Sequence, residues 1–306
     1  MRSIIKNGEL RVEIDSLGAE LKSVCDVDTE REYLWQADPM YWKRTSPVLF
    51  PLVGNYFEKQ SIYKGKIYEM SQHGFARDME FQQLSKSGRE VWYELLDNEE
   101  TREKYPFAFR LQIGYRLEGR SLKVMWKVEN TNGEKMYFSI GAHPAFNCSL
   151  DRSYLTFDSG RAVFLTQILG SDGCLSGRED ELFVADGRLY LDDDLFSEDA
   201  LILEGRQTQS VTLWRIIQTE EESHEEEAIS GQGEVVERIV KVDFDSDLVG
   251  LWSPANMHAP FMCIEPWYGR ADREGFHKKL EEREYGNSLE PGQVFDASYT
   301  MTFGPE

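Results

Sequence analysis

Apolar residues in this chain recur with a period of two, the spacing typical of β-strands that bury one face. They alternate with polar residues from Leu122 to Val128 and again from Leu10 to Ile14. Glycine-containing turn signals such as Asn7-Gly8 and Lys64-Gly65 separate strand-like runs. Because such runs follow one another without helices of ordinary length, folds built from alternating strands and helices are excluded. The pattern predicts an all-β fold, a large antiparallel β-sandwich.

Individual elements can be predicted from the same pattern. A long hairpin should join Phe109–Leu117 to Ser121–Glu129, with Gly119 in the turn. Further predicted strands are Val91–Leu96, Val211–Ile217, Ile239–Phe244, Phe261–Ile264 and Phe295–Phe303. Helical turns are expected only in Glu99–Lys104 and Phe276–Arg283. Since no repeat or Pro/Gly/Ser-rich linker interrupts the chain, residues 1–306 are expected to form one domain.

One segment, Thr219 to Glu237, differs from the rest in composition. It contains the run Glu220–Glu227, in which seven of eight residues are glutamate or histidine, followed by Gly231 and Gly233. Like charges at this density repel one another and stay solvated. We expect an acidic loop insertion near 219–237 that the fold does not need, rather than a metal or partner site.

The charge balance limits the partners of this chain. Its 306 residues include 34 Lys+Arg and 55 Asp+Glu, which gives a formal net charge of −21. A nucleic-acid partner or an anionic membrane surface is therefore not expected, because both need a concentrated basic face. The N-terminal residues turn polar too soon for a signal peptide, and four widely spaced cysteines form no CxxC pair. We expect a cytoplasmic protein, with a homodimer as an open alternative.

Titratable residues concentrate in three stretches of otherwise apolar sequence, Gln72–Asp78, Ile140–Asn147 and Cys263–Arg270. Taken singly, His73 and His143 are more often structural residues of turns and strand ends. Glu265 is more unusual, since a carboxylate between apolar runs must be paired or functional. The adjacent Trp267 and Tyr268 suit either a stacking surface for a sugar ring or the core.

Four segments, read together, resemble the aldose 1-epimerase (galactose mutarotase-like) family, and most of all its LacX-type branch. The segments are Ser46–Gly54, Gln72–Arg77, Gly141–Asn147 and Ile264–Arg270, and Asn287–Gly292 matches as a loop before the last strand. They occur in family order across nearly the whole chain. The resemblance implies a galactose mutarotase-like supersandwich with a sugar site in an open cleft on one face.

The resemblance also implies catalytic roles. A mutarotase opens a cyclic aldose and closes it on the other face, which requires one group to take the anomeric proton and another to protonate the ring oxygen. The family's base matches Glu265, its general acid matches His143, and a second histidine near the ring oxygen matches His73. The residues predicted to bind the sugar are Arg77, Asn55, Trp267, Asn147 and Arg44. No metal, phosphate loop or redox cofactor is called for, although two histidines and a glutamate are also a zinc ligand set.

Two positions depart from the family pattern. Asn55 stands where many relatives carry a sugar-binding arginine, and Ser197 aligns with an aspartate that binds hydroxyls, so Glu198 or Asp199 could replace it. The preferred interpretation is an aldose 1-epimerase-type isomerase that interconverts the α and β anomers of a hexose or related neutral sugar by acid–base ring opening. A hexose-6-phosphate 1-epimerase, favoured by Arg77 and Arg44, and a non-catalytic carbohydrate-binding protein are the alternatives.

Overall fold

The computed structural model describes residues 1–218 and 234–305, which hold 24 strands and one short α-helix. The first strands are β1 Arg2–Lys6, β2 Leu10–Asp15, β3 Leu21–Asp26, β4 Val48–Leu49, β5 Gln60–Tyr63, β6 Lys66–Glu69, β7 Gln82–Lys86, β8 Glu90–Leu96, β9 Phe109–Glu118, β10 Ser121–Asn130, β11 Met136–Phe138 and β12 Ile140–Ala142. The rest are β13 Ala145–Asn147, β14 Ser153–Phe157, β15 Val163–Leu169, β16 Leu175–Phe183, β17 Leu189–Tyr190, β18 Leu201–Leu203, β19 Ser210–Gln218, β20 Val235–Phe244, β21 Leu248–Trp252, β22 Phe261–Tyr268, β23 Asn287–Leu289 and β24 Val294–Phe303. The helix α1 is Glu99–Lys104, and short 3₁₀ turns occupy Phe57–Lys59, Ala76–Asp78, Leu150–Arg152, Asp194–Phe196 and Leu280–Glu282.

Two large antiparallel sheets dominate the molecule. The nine-stranded sheet has the order β17-β14-β19-β20-β24-β10-β9-β8-β7. The eight-stranded sheet has the order β16-β15-β18-β21-β22-β12-β4, and β13 also pairs with β22. Buried residues of both sheets, including Trp126 of β10 and Ile264 of β22, belong to one hydrophobic cluster. The predicted antiparallel all-β sandwich is confirmed.

The predicted hairpin is present with nearly the expected bounds. β9 and β10 pair over their whole length around the turn at Gly119, and the apolar positions Leu122 to Val128 are buried in alternation with more exposed ones. The short helix at Glu99–Lys104 is also present, capped by Asn98, whose side chain accepts a bond from the Thr101 N–H. Phe276–Arg283, in contrast, holds only a 3₁₀ turn.

The strand that carries Glu265 is longer than the sequence indicated. Instead of ending at Ile264, β22 runs through Pro266 to Tyr268. Proline removes a ladder donor, which normally ends a central strand. Here Pro266 lies beside the gap between the β12 and β13 pairings, where the ladder is already interrupted.

The two faces of β22 have different surroundings. Met262 and Ile264 point into the main core between the sheets, whereas Cys263 and Trp267 belong to smaller clusters on the opposite face. Because side chains alternate along a strand, Glu265 shares the face of Cys263 and Trp267. This outer face of the eight-stranded sheet lies outside the main core and can therefore carry polar residues.

The acidic run Glu220–Glu227 lies outside the described residues. Val235 to Glu237, which the sequence analysis assigned to the insertion near 219–237, form the start of β20 instead. Glu237 pairs there with Arg31 and Arg215 on neighbouring parts of the fold. Among the residues described, no helix is both long and apolar enough to cross a bilayer.

Candidate active site

His143 lies in the short break between β12 and β13 and faces Glu265 of β22. β12 and β13 pair with β22 in one common register, with Gly141 opposite Trp267 and Ala145 opposite Cys263. Continuing that register across the gap places His143 opposite Glu265, where cross-strand side chains lie on the same face. The His143 Nδ1 is 3.3 Å from the Glu265 Oε1. The pairing of β12 and β13 with β22 thus brings together the two sequence segments that contain His143 and Glu265.

His73 reaches the same place from a loop. Its backbone is left-handed, with φ of 65°, and its N–H donates to the Gly54 carbonyl at 2.8 Å. The Gly54 N–H in turn donates to the His73 Nδ1 at 3.1 Å. The accepted bond assigns the proton of a neutral His73 to Nε2, which leaves that atom as a donor. The His73 and His143 rings meet edge to face, with centroids 5.6 Å apart.

Burial controls the charge state of these groups. Glu265 is 1 % exposed, and burial, assisted by nearby Asp199 and opposed by the Trp267 indole, raises the pKa of its carboxyl well above the usual range. Burial, followed by the positive charge of Arg77, lowers the pKa of His143, and burial also lowers that of His73. Burial therefore favours a neutral carboxyl on Glu265 and a neutral imidazole on His143.

Tryptophans form the walls and floor around this pair. Trp42 stacks on the His143 ring with centroids 4.7 Å apart, and Trp252 meets the same ring edge-on at 5.4 Å. Trp267 spreads over two neighbouring strands at glycines, where a Cβ on Gly141 or Gly250 would come within 2.7 or 2.5 Å of the indole. Such aromatic surfaces suit the C–H faces of a sugar ring.

The cleft between these residues has a volume of about 230 Å³. It is lined by His73, His143 and Glu265 together with Arg77, Asp199 and the three tryptophans. Pockets for drug-sized ligands measure roughly 300–1,000 Å³, so a cleft of this size suits a smaller ligand such as one sugar ring. The cleft combines hydrogen-bonding groups with apolar walls.

The predicted sugar-binding residues are only partly gathered here. Arg77 lines the cleft, donates to the Gln72 carbonyl at 2.6 Å, and has its pKa lowered to about 10 by burial and by Arg44. Arg44 itself does not line the cleft and forms an ion pair with Asp78 at 2.8 Å. Without contacting His73 or His143, its positive charge helps to lower the pKa of both imidazoles.

The two predicted asparagines lie outside the cleft lining. Asn55 is buried beside it, and its amide donates to the Asp172 carbonyl at 3.3 Å. Asn147 donates to the carbonyls of Glu32 and Leu34, at 3.1 and 2.8 Å, and so ties β13 to the preceding segment. The structure does not bring Asn147 to the candidate site.

The structure distinguishes between residues that the sequence analysis left as alternatives for the site. Of the two acidic alternatives, Asp199 lines the cleft with a left-handed φ of 76°, while Glu198 pairs with Arg178 on the surface. Burial raises the pKa of the Asp199 carboxyl. Trp267 contributes to the cleft, whereas Tyr268 packs towards Trp126 in the core.

Two residues of the cleft lining, Trp42 and Trp252, and the buried Cys263 beneath the cleft were not found by sequence reasoning. Trp252 of β21 lies opposite Cys263 of β22, and the Cys263 thiol lies close to both His143 and Glu265. Trp42 comes from a loop far away in sequence. No local pattern marks these residues, because only strand pairing and loop packing bring them to the cleft.

A buried ion pair, Asp272 with Arg283, fixes the loops that border the cleft. The Arg283 Nε donates to the Asp272 Oδ1 at 2.7 Å, and both side chains are less than 5 % exposed. The second carboxylate oxygen accepts from the Phe57 N–H at 2.9 Å, while the Asp272 backbone bonds Asn55 and Leu175. This hub joins the segments that follow Gly54 and Gly173, two residues of the lining.

Comparison with known proteins identifies relatives of this chain. The aldose 1-epimerase family model matches residues 2–193. The chromosomal LacX protein of Lactococcus lactis is 32% identical, over 97% of this chain and 98% of the relative. A galactose mutarotase related enzyme from Lactobacillus acidophilus superposes with a TM-score of 0.86 at 33% identity, covering 99% of this chain and 97% of the other. A galactose mutarotase-like protein from Lactobacillus casei gives 0.87 at 28% identity, covering 99% of both chains.

Both the match of the family model and the relatedness to LacX extend over most of the chain. They include the segments that supply His73 and His143, and the alignment with LacX reaches on through most of the remainder. The similarity therefore covers both sheets and the segments that line the cleft. It supports an enzyme of the sugar isomerase or epimerase type. On this evidence the chain belongs to the aldose 1-epimerase family.

Proposed function

We propose that this protein is a mutarotase that interconverts the α and β anomers of a neutral hexose or a related sugar. The observation that carries the proposal is the buried His143–Glu265 pair, with 3.3 Å between Nδ1 and Oε1, in a cleft sized for one sugar ring. An acid and a base that share one proton can exchange it with a hydroxyl and a ring oxygen at little energetic cost. A protein that only binds sugars has no need of such a pair.

Ring opening moves one proton through the site. Glu265, in its ionised form, takes the proton of the anomeric hydroxyl, while protonated His143 gives one to the ring oxygen, and the bond from the anomeric carbon to the ring oxygen breaks. The open-chain aldehyde turns about its first carbon–carbon bond, and the reverse transfers close the ring on the other face. His73 donates a hydrogen bond from Nε2 near the ring oxygen. Opening ends with a neutral carboxyl and a neutral imidazole, the charge state that burial favours.

Charge supports a neutral sugar over a phosphorylated one. A protein of net charge −21 repels anions at long range. Arg44 is committed to Asp78, so Arg77 alone would meet a phosphate in the cleft. Because the Nε of Arg77 is buried and has no hydrogen-bond partner in the described part of the chain, a hexose-6-phosphate remains the second candidate.

The substrate is tested by measuring anomer exchange on a panel of aldoses, with and without 6-phosphates, by polarimetry or NMR. Faster equilibration of unphosphorylated sugars supports the proposal. Preference for the 6-phosphates would replace it by the second candidate, and binding without any exchange would leave a carbohydrate-binding protein.

The mechanism is tested by Glu265→Gln and His143→Asn. Each should reduce turnover by roughly 10²–10⁴-fold, the usual contribution of a general acid or base, while sugar binding is largely kept. The double variant should be much less impaired than the product of the single effects, because both groups act in one event.

The chain offers a matched control for these variants. His277 and Glu282 form another histidine–glutamate pair, at 3.1 Å, with both side chains about half exposed. His277→Asn and Glu282→Gln should exchange sugars at the wild-type rate. If Glu265→Gln were as active as Glu282→Gln, the base would lie elsewhere and the mechanism would be wrong.

A further inference from the structure

Three different metal-binding side chains converge beneath the cleft. His143, Cys263 and Glu265 are all buried, and one potential ligand atom from each lies within 4.8 Å of the other two. Cys263 precedes Glu265 by two residues on β22, so both point to the same face. His143 joins them from the break between β12 and β13, which both pair with β22. Two members of the set are therefore fixed by β22, and the third by the short break between β12 and β13.

Two of the potential ligand atoms make no hydrogen bond in the described residues. Neither the Nδ1 of His143 nor the Oε2 of Glu265 makes a hydrogen bond, although both atoms are buried. Cys263 is a free thiol with no exposed surface. Buried polar groups are normally satisfied, so unpartnered ones that converge on one point indicate a ligand.

The donor chemistry selects the kind of ligand. A thiolate, an imidazole and a carboxylate together suit zinc and similar soft divalent cations, whereas magnesium and calcium prefer oxygen atoms alone. A thiolate and a carboxylate would also neutralise the two positive charges of the ion in a buried setting. His73 is a poorer candidate ligand than the sequence suggested, since its Nδ1 already accepts a bond from Gly54.

We propose that His143, Cys263 and Glu265 form a binding site for a soft divalent cation such as Zn²⁺, and that the bound ion inhibits the protein. Binding releases the protons of the Cys263 thiol and the Glu265 carboxyl to solvent and involves no oxidation or reduction. The fourth position around the ion opens towards the cleft, as the lining of the cleft by His143 and Glu265 requires. The ion takes both groups of the proton-transfer pair, so its inhibitory effect rests on the proposed function, whereas its binding does not.

The site is tested first by binding alone. Zn²⁺ titrated calorimetrically into chelator-treated protein should bind at one site and release protons, and Co²⁺ should give a thiolate-to-metal charge-transfer band. Mutating a residue that only hydrogen-bonds a metal ligand typically lowers metal affinity by about 10–100-fold. Cys263→Ala removes a direct ligand, so it should lower the affinity for Zn²⁺ by at least about 100-fold and abolish the Co²⁺ band. Cys148→Ala, the matched control, removes another poorly exposed thiol and should change neither.

If Cys263→Ala does not fold, Cys263→Ser and the Co²⁺ band of the wild type still decide the question. Absence of Zn²⁺ binding, absence of the charge-transfer band, or unchanged affinity in the Cys263 variants would overturn the site.

The inhibitory effect is tested separately by sugar exchange. Zn²⁺ should stop exchange, Mg²⁺ should not, and EDTA should restore the rate after zinc while leaving metal-free protein unaffected. Zinc binding without loss of exchange would overturn the inhibitory role. Exchange lost to EDTA and regained with zinc would instead contradict the acid–base function, while the metal site itself would stand.

Discussion

The geometry of the site begins with single residues whose backbone conformation is unusual. His73 adopts a left-handed φ of 65°, which is uncommon outside glycine, although histidine, asparagine and aspartate adopt it more often than other residues. It is held there by paired bonds to Gly54 and by Gly74, whose φ is 73°. An added Cβ on Gly74 would lie 2.2 Å from the Phe50 carbonyl oxygen. His73 is thus placed by its neighbours, at the cost of local strain.

Gly74→Ala should therefore be far more harmful than Gly65→Ala. Both glycines are left-handed, so each substitution should cost about 1–2 kcal/mol of folding free energy, but Gly65 has open space around it. The clash at Gly74 should add ~1–3 kcal/mol and displace His73, lowering the exchange rate by about 10²-fold. Denaturant unfolding and exchange rates measured on both variants check this, and equal effects would show that Phe50 does not constrain His73.

At the scale of elements, the site depends on register and on one buried ion pair. Strand patterning was enough to predict the β9–β10 hairpin, because its two strands are joined by a short turn. The distant pairing of β12 and β13 with β22 carries no comparable local signal, so the sequence named His143 and Glu265 without placing them face to face. Trp252 and Cys263 are brought together by another strand pairing, that of β21 with β22. Asn147 resembled a site residue, although its amide bonds backbone carbonyls.

Breaking the Asp272–Arg283 pair should damage both stability and substrate affinity. Removing one partner of a buried pair costs about 3–5 kcal/mol, so Asp272→Asn and Arg283→Met should each unfold much more easily. The double variant should be less destabilised than the sum of the two. In folded protein, KM should rise more than kcat falls, since the hub holds the cleft walls and not the proton-transfer pair. Arg206→Met, which breaks a surface pair with Asp245, should change stability by less than about 1 kcal/mol.

For the whole molecule, Asp26 at the end of β3 connects distant parts of the chain. Burial alone would raise the pKa of its carboxyl, but hydrogen bonds from the Thr29 N–H and from Arg120 lower it to about 2. Arg120, in the turn between β9 and β10, also donates to the Phe303 carbonyl at the end of β24. A residue near the N-terminus thereby holds the central hairpin and the last strand.

Because the folded pKa of Asp26 is below the unfolded value, its contribution to stability is present above about pH 4 and is lost as the pH falls towards 2. Asp26→Asn should cost about 2 kcal/mol at pH 7 and progressively less in acid. Thermal unfolding of both proteins between pH 2 and 7 measures this. Asp296→Asn, at an exposed carboxylate 3.9 Å from Lys127, should give a constant small difference. A penalty for Asp26→Asn that did not shrink in acid would contradict the assignment.

Three of the seven tryptophans of the chain, Trp42, Trp252 and Trp267, line the cleft, and Trp42 lies flat against the His143 ring. An imidazolium quenches the fluorescence of an indole in contact with it. A sugar that displaces water from these rings shifts the wavelength of maximum emission. The intrinsic tryptophan fluorescence of the protein is thus sensitive to events in the cleft. Excited in the ultraviolet, its own fluorescence should follow both the arrival of the sugar and the movement of the proton on His143, without any attached dye.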